Sequence, residues 1–193
     1  MALNNKEIEI QVRIEKPEML LDFLNKNAQF KNEQRQVDEY FTPSDRDFTS
    51  VRPVREWLRV RESAKGSSVN YKIWNYDENG KSSYADEFET PVSDVVAMRN
   101  IFERIKCRKI AVVDKTRKTW LFKDYEVTID SVKNLGEFVE IEYSGKDENI
   151  DVKKVIGEMI SFLKDVGCGK TERNYVGYPF QILFPEEVKF EEV

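Results

Sequence analysis

The first segment of the chain alternates strictly between polar and apolar positions. From residue 7 to residue 14, every odd position is polar or charged and every even position is aliphatic. Because successive side chains of a β-strand point to opposite faces, this pattern predicts a strand with Glu7, Glu9, Gln11 and Arg13 on one face. The other face of the same strand carries only isoleucine and valine.

Patterns along the rest of the chain predict three helices among many strands. Pro17 opens a helix through about residue 27, Pro91 opens a second through about residue 105, and a third spans about residues 151–166 and ends at Gly167. An aromatic tail, from about residue 176, is expected to pack over an opening or an outer face. The strands after the first are predicted at about residues 34–42, 56–62, 69–76, 83–90, 109–122, 125–130 and 137–143.

Strands outnumber helices in this prediction, and many of them are joined by short turns. Closing the sheet on itself is the natural solution for such a chain, with the helices packed outside. We therefore predict an α+β, strand-dominated fold: an eight-stranded antiparallel β-barrel with flanking helices. The length of the chain suits one domain, and we assign residues 1–193 to this domain.

Charged residues recur on one face of the later strands. Any one such pair is typical of a strand face in water, but six sets, most of them with apolar residues at the alternate positions, predict an inward charged face. Burying so many charges in a dry core would be prohibitive, so the cavity must be wet or must hold a ligand. The sets are Arg59 with Arg61, Asn70 with Lys72, Glu87 with Glu89, Lys115 with Arg117, Asp130 with Glu126 and Thr128, and Glu140 with Glu142.

Composition narrows the chemistry of this cavity. The chain has no histidine, which excludes Ser-His-Asp and Cys-His nucleophile systems and histidine metal sites. Any metal must be bound by oxygen, which favours Mg²⁺ or Mn²⁺. Arginine and lysine bind phosphate oxygens, and clustered carboxylates hold a hard divalent cation. The sequence therefore predicts a site for a metal-chelated polyphosphate.

The partners and the location of the protein are predicted from charge and hydropathy. A net charge of −5 disfavours nucleic acid, and no apolar stretch is long enough to cross a bilayer. Cys107 and Cys168 lie far apart in a chain without an export signal, so we expect free thiols and a cytoplasmic protein. We therefore expect no nucleic-acid partner and no membrane partner.

At these same residues the chain resembles the CYTH, or triphosphate tunnel metalloenzyme, superfamily. The resemblance is nearly full length and follows the family order, and residues 38–41 with 46–48 look most like the class IV adenylyl cyclase branch. The matching motifs are Glu7-Ile8-Glu9-Ile10-Gln11, Leu58-Arg59-Val60-Arg61, Tyr71-Lys72, Lys115-Thr116-Arg117, Asp130 and Leu135-Gly136-Glu137-Phe138-Val139-Glu140-Ile141-Glu142.

The resemblance implies an eight-stranded tunnel that holds a triphosphate with Mg²⁺ or Mn²⁺. It implies a class IV adenylyl cyclase that converts ATP into cyclic AMP and pyrophosphate. An inorganic or organic triphosphatase and a non-catalytic triphosphate-binding protein remain open alternatives, as does a homodimer, because relatives are often dimers. The implied roles are metal binding for Glu7, Glu9, Glu140 and Glu142; triphosphate binding for Arg59, Arg61, Lys72, Lys115 and Arg117; catalysis for Arg13, Tyr40 and Asp130; and tunnel lining for Gln11, Glu87 and Glu89.

Two positions depart from the family pattern. Gln11 stands where the family has lysine, and Arg13, on the same face, is expected to replace that charge in part. Tyr84-Ala85 stands where class IV relatives usually have an arginine before Glu87. Both departures leave open a reduced or altered activity.

Overall fold

The structure is a computed structural model that describes residues 6–145 and 151–193. One large antiparallel sheet dominates it, flanked by helices. The helices are α1 (Pro17–Asn27), α2 (Val95–Arg104), α3 (Val152–Val166) and α4 (Tyr178–Leu183), with short 3-10 turns at Phe48–Ser50 and Pro185–Glu187. The strands are β1 (Lys6–Glu7), β2 (Glu9–Ile14), β3 (Gln29–Pro43), β4 (Glu56–Ser63), β5 (Gly66–Tyr76), β6 (Ser82–Val92), β7 (Cys107–Phe122), β8 (Tyr125–Val132), β9 (Gly136–Tyr143), β10 (Thr171–Arg173) and β11 (Glu191–Glu192).

The strands of the described residues form one eleven-stranded sheet in the order β1-β6-β5-β4-β3-β7-β8-β9-β2-β10-β11. The predicted strand-dominated antiparallel fold is confirmed, but the expected closure is not, because this order has two edges. The first segment nevertheless borders both sides of the sheet: β1 pairs with β6, and β2, separated from it only by Ile8, pairs with β9. The ladder between β1 and β6 is only two residues long.

The aliphatic faces of the strands pack under the helices, as the alternation predicts. Burial of these side chains away from water stabilises the contact between sheet and helices. One buried cluster joins Ile8, Ile10, Val12, Val139 and Ile141 of the sheet to Leu20 and Leu24 of α1 and Val155, Met159 and Leu163 of α3. On another part of the sheet, Val60 and Phe41 pack against Phe102 of α2.

The start of α2 differs from the prediction. Pro91 lies in β6, where it pairs with Ser68, and the helix begins only at Val95. The physical reason is the cap: the Asp94 side chain accepts a hydrogen bond from the Ala97 backbone N–H at 2.8 Å. The predictions for α1, which begins at Pro17, and α3, which ends before a left-handed Gly167, are confirmed.

The C-terminal tail folds back onto the sheet. Tyr178 and Phe180 of α4 are buried in a cluster with Val113 and Phe138. Arg52 binds Glu187 through two hydrogen bonds, at 2.7 and 3.0 Å, and anchors the end of the tail to the loop before β4. The tail therefore contributes to the core.

None of the helices in the described ranges is both long and apolar enough to cross a membrane. Cys107 and Cys168 are free thiols, as expected.

Candidate functional site

A cavity of about 560 Å³ lies on the charged face of the sheet. Residues from β1 to β9 line it, together with Gly177, Tyr178 and Pro179 from the tail. Most of the residues chosen from the sequence line this one cavity, and Arg13 and Asp130 do not. Those that do are Glu7, Glu9, Gln11, Tyr40, Arg59, Arg61, Lys72, Glu87, Glu89, Lys115, Arg117, Glu140 and Glu142.

The strand register places these side chains beside one another. Residues directly opposite on antiparallel strands are close enough for their side chains to touch. Arg117 lies opposite Asp130, and Gln11 lies opposite Glu140. Glu9 is directly opposite Glu142, so the same register also brings two carboxylates together.

Four cations, Arg59, Arg61, Lys115 and Arg117, form what we call the basic wall of the cavity. Two aspartates support it. The Asp38 carboxylate accepts two hydrogen bonds of 2.7 Å from Arg61, and Arg59 lies 3.7 Å away. Burial by itself would raise the pKa of Asp38, but the charges of Arg59 and Arg61 outweigh it and lower the pKa to about 2.

Asp130 supports the other half of the basic wall. It is completely buried and accepts hydrogen bonds from Lys115 Nζ at 2.9 Å and from Arg117 at 2.6 and 2.7 Å. The Tyr178 hydroxyl of the tail donates a further hydrogen bond to it at 2.9 Å. Burial, and then repulsion by Arg117, lowers the pKa of Lys115. The aspartate therefore orients the two cations and offsets their charge.

Carboxylates around Lys72 form the acidic wall, which we define as Glu7, Glu9, Glu87 and Glu142. Lys72 Nζ donates to Glu9 at 2.9 Å and also pairs with Glu7. Burial, and then repulsion by Glu9, raises the pKa of Glu7 well above its ordinary value. The same two causes raise the pKa of Glu142 to about 8, with Glu126 as a further neighbour. The acidic wall therefore has more negative charge than Lys72 offsets.

Glu140 lies between Gln11 and Arg117 of the basic wall. One of its oxygens accepts a hydrogen bond from Gln11 Nε2 at 2.9 Å, and the other pairs with Arg117. Burial by itself would raise the pKa of Glu140, but Arg117 and Lys115 outweigh it, so the carboxylate stays ionised.

The donor chemistry of the acidic wall fits a hard divalent cation. Carboxylate oxygens are the ligands that Mg²⁺ and Mn²⁺ prefer, and burial, followed by repulsion between carboxylates, raises the pKa values of Glu7 and Glu142. Across residues 6–145 and 151–193, however, no three carboxylate or thiol side chains are already arranged around one metal position. Of the ligands that the resemblance implies, Glu7, Glu9 and Glu142 are near one another, but Lys72 already binds Glu7 and Glu9.

Two residues expected to be catalytic lie away from the cavity surface. Asp130 is buried behind Lys115 and Arg117. The Arg13 guanidinium lies between the rings of Phe138 and Phe190, at 4.8 and 4.3 Å, and donates to the Leu135 carbonyl at 3.1 Å. Arg13 shares the face of Gln11 but lies further along β2, so it does not take the place of the missing lysine.

Tyr40 does line the cavity. Its ring packs edge-on against Trp57, and burial, followed by the nearby Asp38 charge, raises the pKa of its hydroxyl. The hydroxyl therefore stays protonated near neutral pH and is available as a hydrogen-bond donor.

Four further residues contribute to the site without having been expected there from the sequence: Asp38, Glu126, Tyr178 and Gln181. Asp38 had a usable signal, because it alternates with Tyr40 along one strand, and Glu126 was noted only as a neighbour of Asp130. Tyr178 and Gln181 had none, because they belong to a short helix whose position depends on tertiary packing.

Comparisons with known proteins show a family and a sequence relative that match this chain. The CYTH domain family model matches residues 5–175. A Methanocaldococcus jannaschii protein named "Putative adenylate cyclase MJ0240" is 33% identical over 165 residues, which are 85% of this chain and 91% of the relative.

Two solved structures share the fold. The PH1819 protein from Pyrococcus horikoshii OT3 has a TM-score of 0.73 and 23% identity, over 94% of this chain and 99% of that one. The "Putative adenylyl cyclase HpAC1" from Hippeastrum, described as having a dominant triphosphatase activity, has a TM-score of 0.67 and 19% identity, over 95% of this chain and 100% of that one.

Proposed function

Because the chain belongs to the CYTH domain family, we propose that it is a metal-dependent enzyme that converts ATP into cyclic AMP and pyrophosphate. The observation that supports this proposal most directly is the cavity, where a basic wall faces carboxylates with excess negative charge. Its volume of about 560 Å³ is within the range of small-molecule sites.

In this proposal the basic wall binds the triphosphate. Arg59, Arg61 and Arg117 present planar guanidinium groups, which can bind two phosphate oxygens at once. Asp38 and Asp130 hold these groups in place before the substrate arrives, so little reorganisation is needed on binding. Tyr40, as a neutral hydroxyl, would donate a further hydrogen bond to a phosphate oxygen.

Glu7, Glu9, Glu140 and Glu142 would hold Mg²⁺ or Mn²⁺. A bound divalent cation supplies neutralisation of the charge on phosphate oxygens. In the cyclase reaction the ribose 3′-oxygen forms a bond to the α-phosphorus, the bond to the bridging oxygen breaks, and pyrophosphate leaves. The 3′-hydroxyl proton passes to solvent water. The protein contributes mainly by positioning the substrate and by electrostatic stabilisation.

A triphosphatase is the second candidate. The Hippeastrum relative is described as having a dominant triphosphatase activity, and both reactions use the same arrangement of cations and carboxylates. In that case water attacks the terminal phosphorus and orthophosphate leaves. The choice between the two reactions depends on whether the ribose 3′-oxygen is held next to the α-phosphorus or a water oxygen is held next to the terminal phosphorus.

One assay separates these functions. Purified protein is incubated with ATP, tripolyphosphate or thiamine triphosphate, with Mg²⁺, with Mn²⁺ or with a chelator, and the products are identified. We expect cyclic AMP and pyrophosphate from ATP with either metal, and no product with the chelator. Orthophosphate would support the triphosphatase, and tight binding without any product would leave only a binding protein. Product formation that the chelator does not reduce would contradict metal dependence.

The remaining expectations, about partners, location and domain extent, stay predictions. They are the absence of nucleic-acid and membrane partners, a cytoplasmic location, a single domain over residues 1–193 and the open question of a homodimer.

A further inference from the structure

Two glutamine side chains form a chain of hydrogen bonds between the C-terminal tail and the cavity. Gln181 Nε2 donates to Gln11 Oε1 at 3.0 Å, and Gln11 Nε2 donates to Glu140 Oε1 at 2.9 Å. Gln181 belongs to α4 and is only 3% exposed. The second oxygen of Glu140 pairs with Arg117, so both ends of this carboxylate are held.

The chemistry of the groups determines the direction of this chain. Ionised Glu140 can only accept hydrogen bonds, so Gln11 must present its NH₂ group to it. The oxygen of the Gln11 amide then faces Gln181, which must donate. Without that donor, the oxygen of this half-buried amide would lose its hydrogen-bond partner, and the amide would no longer be held with its NH₂ group toward Glu140.

Gln11 is also the position at which the chain departs from the family lysine. An ammonium group donates hydrogen bonds in every direction and needs no neighbour to orient it, whereas an amide donates from one end only. Gln181 supplies this orientation from beyond residue 175, where the family match ends. Its own position is secured by Tyr178 and Phe180, which precede it in α4 and are buried in the core.

We propose that Gln181 is a positioning residue, which acts through Gln11 to hold Glu140 and thereby makes the C-terminal tail part of the site. The two amides take over, without a charge, the hydrogen bond to Glu140 that a lysine at position 11 would provide. The hydrogen-bond chain stands on the contacts above, and its effect on turnover rests on the proposed function.

The test compares substitutions of Gln181 in two backgrounds, the chain with its own Gln11 and the chain with Gln11→Lys. Gln181→Met keeps the size but removes the donor, and we expect kcat to fall about tenfold, as for one lost hydrogen bond. Gln181→Glu turns the donor into an acceptor, so Gln11 must rotate toward it and away from Glu140, and we expect a larger fall. In the double variant Gln11→Lys/Gln181→Glu, the ammonium can donate to both carboxylates, and we expect kcat within about threefold of the unsubstituted protein.

Glu187→Gln is the matched control, because it loosens the tail at Arg52 without touching either amide. We expect its kcat to stay within about twofold, as for a surface ion pair. Melting temperatures of all variants identify any that fail to fold. An equal loss from Gln181→Glu in both backgrounds, or an equal loss from Glu187→Gln, would show that Gln181 only packs the tail and would overturn the proposal.

A spectroscopic measurement separates this proposal from the proposed function. In ¹⁵N-labelled protein, the side-chain amide resonances of Gln11 are assigned from their loss in Gln11→Lys. We expect them to shift strongly in Gln181→Met and to remain in place in Glu187→Gln, whether or not the protein turns over any substrate. Unchanged Gln11 resonances in Gln181→Met would exclude the hydrogen-bond chain even in an active enzyme.

Discussion

The basic wall and the acidic wall line the same cavity, but their charges are compensated differently. Behind the basic wall, Asp38 and Asp130 hold the cations through hydrogen bonds of 2.6 to 2.9 Å. In the acidic wall, Glu7 and Glu9 share Lys72, and Glu142 faces Glu9 and Glu126. In the first wall each cation has a carboxylate partner without a ligand, whereas the second has more carboxylates than cations.

This difference shows how one cavity can have a fixed arrangement of cations and still favour the binding of a further cation. Buried cations with buried partners stay fixed in one geometry, which suits the recognition of phosphate oxygens. Burial, and then repulsion by Glu9, raises the pKa of Glu142 to about 8, which favours the protonated form of this carboxyl near neutral pH. A cation that displaces this proton would relieve the repulsion. The two walls should therefore respond in opposite ways to loss of a negative charge.

The largest effect is expected from the basic wall. Asp130→Asn removes the charge that offsets Lys115 and Arg117, and we expect a loss of about 3 kcal/mol in the free energy of unfolding, or about 6–12 °C in Tm. Thermal unfolding followed by circular dichroism measures it. The control is Asp114→Asn, whose partner Arg35 is 69% exposed, and which should cost less than about 1 kcal/mol. Equal losses in the two variants would mean that the buried aspartate is no more important than a surface one.

Glu140 is expected to matter most for turnover. Glu140→Gln keeps the shape but removes the charge that pairs with Arg117, and we expect metal-dependent kcat to fall by about a hundredfold or more. The measurement is product formation at saturating metal, with Tm as the check on folding. A rate that stays unchanged in a folded variant would remove Glu140 from the site.

The acidic wall is expected to gain stability from loss of a charge. Because the folded-state pKa of Glu142 is raised from 4.5 to about 8, the protonated form favours folding, and that stability is lost as pH rises through this window. Glu142→Gln cannot titrate. In the presence of a chelator, we therefore expect it to match the unsubstituted protein at about pH 5 in Tm and to exceed it by about 4–8 °C at about pH 9. Parallel profiles of Tm against pH for the two proteins would show that the pKa of Glu142 is not raised in the folded state.

The smallest effect concerns the support that the tail gives the basic wall. Tyr178→Phe removes the 2.9 Å hydrogen bond to Asp130 but keeps the ring in its buried cluster. We expect a loss of about 1.5 kcal/mol, as for a hydrogen bond to a charged group, measured by denaturant unfolding. Tyr76→Phe, which removes a 2.9 Å hydrogen bond to the neutral Val54 carbonyl, is the control and should cost less. A loss no larger than in Tyr76→Phe would mean that the tail packs on the wall without supporting its charge.

Local pattern was enough to predict most of the residues that line the cavity. A period of two is intrinsic to a strand, so once the aliphatic face is buried under helices, the opposite residues must face the cavity. This is why Arg59 and Arg61, Lys115 and Arg117, and Glu140 and Glu142 could be assigned from the chain alone. Helix ends with a proline start or a glycine stop were also readable, as for α1 and α3.

The pairing of the charges was decided by the tertiary structure. Asp130 lies under two cations rather than on the cavity surface, Arg13 lies between two rings, and Gln181 contacts Gln11 across 170 positions of the chain. Such contacts depend on strand register and on where the tail packs, which no local window contains. Alternation tells which face a side chain takes, whereas only the packed fold sets which partner it finds there and whether its charge is compensated.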